Sequence, residues 1–154
     1  DEVFDDLLTR PGPCGKLGPD AEAASDIARG VEVARALGWI DVGQGVVVQQ
    51  GIVLGVEAVE GTAALLARVA GLRRSGRGGV LVKIAKPGQE RRVDLPTIGI
   101  ETIDQASAAG LIGIALEAGG SLIIDGAAVG AAADRAGLFV VGIDVGASAP
   151  RRPT

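Results

Sequence analysis

Apolar and polar residues alternate along this chain with two periods, one typical of helices and one typical of strands. From residue 20 to residue 38, Ala24, Ile27 and Val31 recur at helical spacing, while charged residues occupy the other positions. Asp20 is a good N-cap for this segment, and Gly38 is a typical stop. The pattern therefore predicts an amphipathic helix over residues 20–38.

A β-hairpin is predicted to follow this helix. Two short runs of valine, isoleucine and leucine, residues 45–48 and 52–56, flank the turn formed by Gln49, Gln50 and Gly51. Both runs have the length and β-branched composition of strands.

The next segment, residues 62–74, returns to helical spacing. Leu65, Val69 and Leu72 form its apolar stripe, and Thr62 can cap its start. Free backbone N–H groups after Gly61 would then offer an anion site. An ordinary capped helix explains these residues equally well, so both readings stay open here.

Strands and helices continue to alternate in the second half of the chain. Residues 79–85, 111–116, 121–124 and 138–141 read as strands, and residues 101–109 and 125–137 read as helices. This order predicts an α/β fold, and the hairpin makes the sheet mixed. We expect a single domain with helices flanking a mixed sheet, in a three-layer-like sandwich.

A charged loop, residues 86–99, leaves the end of the predicted strand 79–85, where α/β proteins place their sites. It carries the kinds of side chain that phosphate chemistry needs: the cations Lys86, Arg91 and Arg92, and the carboxylates Glu90 and Asp94. A solvated crossover loop is the simpler explanation of such a segment. Lys83 weakens it, because a cation inside an apolar strand needs a buried partner.

Composition excludes several functions. The chain has no histidine, and Cys14 is its single cysteine, so within it a histidine-based triad and a thiolate or histidine zinc site are excluded. The aromatic share is 2% and the net charge is −4, which argue against binding of nucleic acid. Carboxylates remain for metal binding, and they favour ions such as Mg²⁺.

The ends of the chain look different from its body. Residues 1–18 are rich in turn residues and read as a connector from a preceding N-terminal domain, and residues 146–154 read as a disordered tail. The body, residues 19–145, is large enough for its own core. No apolar run is long enough to span a membrane, so we expect a soluble, cytoplasmic protein.

Several segments carry a resemblance to a known family. GVLVKIAKPGQERRVDLPTIG, VEAVEGTAALLAR, DVGQGVVVQQGIVLGVEA and AADRAGLFVVGI are similar to motifs in the C-terminal domain of the LpxI-type UDP-2,3-diacylglucosamine pyrophosphatases. The similarity runs from about residue 20 to residue 143. The sequence departs from the family's pattern at Ala63, Glu90 and Ile100.

The resemblance implies an activity in lipid A biosynthesis. Proteins of this family hydrolyse UDP-2,3-diacylglucosamine to UMP and 2,3-diacylglucosamine 1-phosphate, which is lipid X, and they use Mg²⁺. Their active site lies between this domain and an N-terminal domain of the same enzyme. We also expect a homo-oligomer, and peripheral contact with the inner membrane is a further option.

The residues that match the family's motifs suggest roles. Asp94 would orient or deprotonate the attacking water or hold the metal, together with Glu57 and Glu60. The remaining positions would bind substrate and its phosphates, and they are Lys83, Lys86, Arg91, Gly61, Thr62, Gln89 and Thr97.

A second class of function stays open. The chain could be a phosphate- or lipid-binding module without turnover, or a structural fragment that lacks its partner domain. Hydrolysis by this chain alone and by a longer protein would distinguish these alternatives.

Overall fold

The computed structural model describes residues 2–87 and 95–146. This part of the chain forms an α/β fold in which strands and helices alternate. The helices are α1 (Glu2–Leu7), α2 (Ala21–Trp39), α3 (Thr62–Val69), α4 (Ile100–Ala108) and α5 (Gly126–Ala136). The strands are β1 (Gly12–Pro13), β2 (Gly45–Gln49), β3 (Ile52–Val56), β4 (Val80–Lys83), β5 (Thr97–Ile98), β6 (Gly113–Glu117), β7 (Leu122–Ile123) and β8 (Phe139–Ile143).

Within these described residues, the main sheet has six strands in the order β1-β8-β6-β4-β2-β3. Strands β4, β6 and β8 are parallel, so their carboxyl ends meet at one edge of the sheet. The hairpin of β2 and β3 adds antiparallel strands beside β4, and β1 pairs antiparallel with β8 at the other end. The mixed sheet predicted from the sequence is confirmed.

Alternate residues of each central strand point to opposite faces of the sheet, as the pleat requires. Leu81 of β4 and Ile114 of β6 pack in one core beneath α3, α4 and α5. Val82 and Ala115 pack in the other core, together with Ile27 of α2. The molecule is therefore a sandwich of three layers, as predicted, with α2 on one face and three helices on the other.

The helix predicted over residues 20–38 and the hairpin are confirmed. Asp20 Oδ1 accepts the backbone N–H of Ala23 at 2.8 Å, which is the cap expected at the start of α2. Asp125 likewise caps α5, through the N–H of Ala128.

The prediction for α3 is partly wrong. The helix ends at Val69, Leu72 is 50% exposed, and the N-cap is Gly61, with Thr62 as the first helical residue. Gly61 adopts a positive φ of 89°, which glycine tolerates without steric cost. Thr62 therefore does not occupy the cap position, and its hydroxyl is bonded to the side chains of Lys83 and Glu57.

The segment predicted as a connector contains α1 and the short strand β1. Gly12 and Pro13 pair with Gly142 and Val141 of β8. Whether this segment joins the chain to another domain stays a prediction. The predicted tail falls on residues 146–154, and all of it except Gly146 lies outside the described residues.

Two further strands form a small parallel sheet of their own, β5 with β7. Each leads directly into a helix, β5 into α4 and β7 into α5. None of the helices in residues 2–87 and 95–146 combines the length and the apolar character that crossing a membrane requires.

Candidate functional site

Lys83 lies at the carboxyl end of β4, in the core of the sheet, and is 6% exposed. Its Nζ donates a hydrogen bond to Thr62 Oγ1 at 2.6 Å. The Thr62 hydroxyl in turn donates to Glu57 Oε2 at 2.7 Å. The buried cation predicted from the sequence therefore has a partner, and the three side chains form one hydrogen-bonded chain.

Glu57 is brought to Lys83 by the register of three neighbouring strands. Gly45 of β2 pairs with Lys83, and the Glu57 N–H donates to the Gly45 carbonyl at 2.8 Å. A side chain at position 45 would crowd the carboxylate, since a Cβ there would lie 3.2 Å from Glu57 Oε1. Glycine at this position leaves the space that the Glu57 side chain uses.

The charges of Lys83 and Glu57 depend on each other. Burial lowers the pKa of Lys83 from its ordinary value, and the negative charge of Glu57 opposes this shift. Glu57 itself is 8% exposed. A buried cation and a buried carboxylate that share a hydroxyl give this part of the molecule a fixed polar geometry.

Helix α3 begins beside these residues. Its N-cap, Gly61, has no side chain, so the cap residue itself offers no hydrogen bond to the N–H groups of the first turn. These groups and the helix dipole favour a negative charge near Gly61.

A cleft of about 400 Å³ opens next to this helix start. Its wall includes groups of opposite charge, namely Glu57 and Lys86. The residues that line it are Asp41, Val42, Gly43, Gln44, Glu57, Ala58, Val59, Gly61 and Lys86.

Lys86 Nζ donates to Asp41 Oδ1 at 2.7 Å inside this cleft. The hydrogen bond and charge of Lys86 lower the pKa of the Asp41 carboxyl. Of the residues predicted to bind substrate, Lys86 and Gly61 line the cleft, whereas Lys83 and Thr62 are not among its lining residues.

Glu60, predicted as a metal ligand, pairs with a cation of α3. Its Oε1 accepts from Arg68 at 3.0 Å and from the backbone N–H of Ala58 at 3.1 Å. Thr97 lies on β5 and lines a second cleft, of about 520 Å³, between the starts of α4 and α5.

Three of the predicted site residues, Asp94, Arg91 and Gln89, lie outside the described residues. The roles assigned to them stay predictions. Within residues 2–87 and 95–146, no three acidic or cysteine side chains come close enough together to hold a metal ion. Glu57 is in the cleft, but the described residues alone do not provide a complete set of ligands for Mg²⁺.

Glu117 belongs to the same edge of the sheet and was not predicted. It ends β6, and its Oε1 accepts the backbone N–H of Ala85 at 3.1 Å. Burial raises the pKa of Glu117, while the bond from Ala85 and the charge of Arg35 act in the opposite direction. A carboxylate directly after an apolar strand was the available signal, but the sequence does not show which backbone group it meets.

The sequence model of the family described as LpxI C-terminal domain matches residues 10–141. This chain belongs to the LpxI C-terminal domain family. The resemblance seen in the motifs is thereby confirmed, and the match runs from before β1 to Val141 within β8.

A curated relative belongs to the same family. The UDP-2,3-diacylglucosamine pyrophosphatase LpxI of Caulobacter vibrioides is 52% identical to this chain over 149 residues. The alignment covers 93% of this chain and 53% of the relative. The chain therefore spans about half the length of the LpxI protein that it matches.

Proposed function

We propose that this chain is the C-terminal half of an enzyme that hydrolyses the diphosphate bond of UDP-2,3-diacylglucosamine. The products would be UMP and 2,3-diacylglucosamine 1-phosphate. The proposal is supported by the 52% identity to a relative that bears this activity in its name. Its structural support is the cleft at the start of α3, where Lys86, Gly61 and Glu57 meet.

The observation that carries the proposal is the chain of hydrogen bonds from Lys83 through Thr62 to Glu57. It holds a buried carboxylate at the wall of the cleft, next to an uncapped helix start. The preorganised amide groups of such a helix start stabilise the negative charge of a phosphate without reorganising during the reaction.

In the proposed reaction, a water oxygen forms a bond to one phosphorus while the bond from that phosphorus to the bridging oxygen breaks. The bridging oxygen leaves with the other phosphate, and the water gives up a proton to Asp94 or, where Asp94 only orients the water, to solvent. Lys86 and the first turn of α3 would offset the negative charge of the diphosphate. Lys83 would act from behind the cleft, because its Nζ is bonded to Thr62.

Asp94 is proposed to orient or deprotonate the water, on the strength of its place in the family's motif. Mg²⁺ dependence is a separate proposal, in which Asp94 would complete a site with Glu57. Such an ion would offset phosphate charge and position the water. The attack of water on phosphorus and the departure of the bridging oxygen, as proposed, do not depend on this ion.

The test is release of UMP from UDP-2,3-diacylglucosamine, measured for this chain alone and for this chain joined to the N-terminal half of an LpxI protein. We call the second the two-half protein. The two-half protein should release UMP, and the chain alone should release little, since a site shared by two domains needs both to position substrate and exclude water. Chelation of divalent ions tests the metal. If the two-half protein binds substrate without releasing UMP, the non-catalytic binding module is the better account.

A further inference from the structure

Lys86 reaches the cleft from a short stretch of chain that follows β4. The sheet holds the residue before this stretch, because the Ile84 N–H donates to the Gln44 carbonyl at 3.1 Å. The next N–H, that of Ala85, is taken by the carboxylate of Glu117 at 3.1 Å. The backbone one residue before Lys86 is therefore fixed by a side chain from the neighbouring strand.

Glu117 is itself firmly placed. Its carbonyl accepts the Ser121 hydroxyl at 2.7 Å, and the Ser121 hydroxyl also contacts Thr9 Oγ1 at 2.7 Å. The Ala118 N–H is bonded to the Ile143 carbonyl of β8 at 2.8 Å. These contacts fix the backbone of Glu117, and the bond from the Ala85 N–H holds its carboxylate.

The surrounding chain makes room for this carboxylate. A Cβ at Gly120 would lie 2.4 Å from Glu117 Oε2, so a larger residue there would force the side chain to move. On the other side of Lys86, helix α2 approaches closely: a Cβ at Gly38 would lie 2.8 Å from Pro87 Cδ. The stretch that carries Lys86 is thus supported on both sides, by Glu117 and by the end of α2.

We propose that Glu117 is a positioning residue, which holds Lys86 at the cleft by fixing the backbone of Ala85. The inference rests on the proposed function, in which Lys86 offsets the negative charge of the diphosphate. It does not need Glu117 to touch substrate. If Glu117 only satisfied the backbone N–H of Ala85, its removal would not change the affinity for a ligand that Lys86 binds.

The contact can be tested without a ligand. The Ala85 amide should exchange slowly in the wild type and in Glu117→Gln, since the amide oxygen of glutamine still accepts a hydrogen bond. It should exchange faster in Glu117→Ala. Equal exchange rates in all three proteins would overturn the inference.

The coupling between Glu117 and Lys86 is tested with UDP as a diphosphate probe. The affinity of the two-half protein for UDP is measured by calorimetry. Glu117→Ala should weaken binding about five- to tenfold, the size of one lost hydrogen bond. Glu117→Gln should stay close to the wild type. In a protein that already carries Lys86→Ala, the Glu117→Ala change should weaken binding less than about twofold, since the residue it positions is gone. Glu32→Ala, a change of an exposed glutamate on α2, is the matched control and should have no effect.

Three results distinguish a failure of this inference from a failure of the proposed function. An equal loss of affinity from Glu117→Ala with and without Lys86 would mean that Glu117 does not act through Lys86, and would overturn the inference. Failure of the wild type to bind UDP would also overturn it. Binding of UDP without hydrolysis of the lipid substrate would contradict the proposed function alone, and the Glu117 comparison would still be decided.

Discussion

Lys83 Nζ and Thr62 Oγ1 lie 2.6 Å apart, and this contact joins the end of β4 to the first residue of α3. Thr62 is the first helical residue rather than the N-cap, and its hydroxyl donates onward to Glu57. The position that looks like an N-cap in the sequence therefore serves to hold a buried cation and a buried carboxylate together. The first turn of α3 is left with amide groups that a phosphate can use.

Replacing Thr62 with valine should destabilise the fold. Valine has the same shape as threonine but offers no hydroxyl, so Lys83 and Glu57 lose their shared partner in a buried site. We expect a loss of about 1–3 kcal/mol in the free energy of unfolding, measured by urea denaturation. Thr62→Ser keeps the hydroxyl and is the matched control. A valine variant as stable as the serine variant would show that the hydroxyl does not matter.

The dependence of stability on alkaline pH should report on Lys83. Burial lowers its pKa in the folded state below the ordinary value of 10.5. Between these two values the unfolded chain binds more protons than the folded chain, so the contribution of Lys83 to stability rises with pH. At lower pH the buried charge is present and costs free energy.

Denaturation of the wild type and of Lys83→Met across this alkaline range checks the sign. The free energy of unfolding should increase with pH more steeply, or fall less steeply, in the wild type than in the variant. Parallel curves would mean that the pKa of Lys83 is not lowered by folding.

The ion pair of Asp41 and Lys86 makes a prediction that needs no substrate. Lys86 lowers the pKa of Asp41 through a hydrogen bond and through its charge. In Lys86→Met, the pKa of the Asp41 carboxyl should rise toward its ordinary value, as read by an NMR titration of the side-chain carboxyl carbon. An unchanged titration would indicate that Lys86 spends little time at Asp41 in solution.

Asp94→Ala in the two-half protein should abolish hydrolysis and leave substrate binding largely intact. A carboxylate that acts on the water or its metal stabilises mainly the transition state, so turnover falls far more than affinity. The measurements are the turnover rate at saturating substrate and the dissociation constant of the substrate. Substantial turnover in this variant would move the catalytic assignment to Glu57, Glu60 or Glu90.

The larger elements of the fold could be predicted because their patterns are local. The alternation in the hairpin and the helical period after Asp20 are repeated over enough residues to identify the structure. Two-residue strands such as β5 (Thr97–Ile98) and β7 (Leu122–Ile123) do not repeat a period, and their pairing joins distant parts of the chain. The sequence accordingly showed strand character at residues 121–124 but not the small second sheet.

The end of α3 was misjudged for a tertiary reason. The helical pattern continues to Leu72, but the chain beyond Ala70 is held by the hairpin instead. Gln49, fully buried, accepts the Arg74 N–H at 2.8 Å and donates to the Arg74 carbonyl at 3.0 Å. Such contacts override local propensity and cannot be read from spacing.

Part of the site could also be predicted from the sequence, because Lys83 lies in an apolar strand and a buried lysine needs a polar or charged partner. The identity of that partner depends on the register of β2, β3 and β4, which places Glu57 near Lys83, and on the start of α3, which supplies Thr62. Glu117 was missed because its partner is a backbone N–H, and backbone groups leave no signature in the sequence.

The central claim is that the cleft beside α3 holds the diphosphate during hydrolysis. Its most direct test is the rate of UMP release from UDP-2,3-diacylglucosamine by the two-half protein, compared between Lys86→Ala and Lys16→Ala. Lys16 is an exposed lysine that does not line the cleft. We predict that Lys86→Ala lowers kcat/KM by at least about tenfold, the effect of losing one charged contact to phosphate, while Lys16→Ala leaves it unchanged. Equal kcat/KM values for the two variants would contradict the claim.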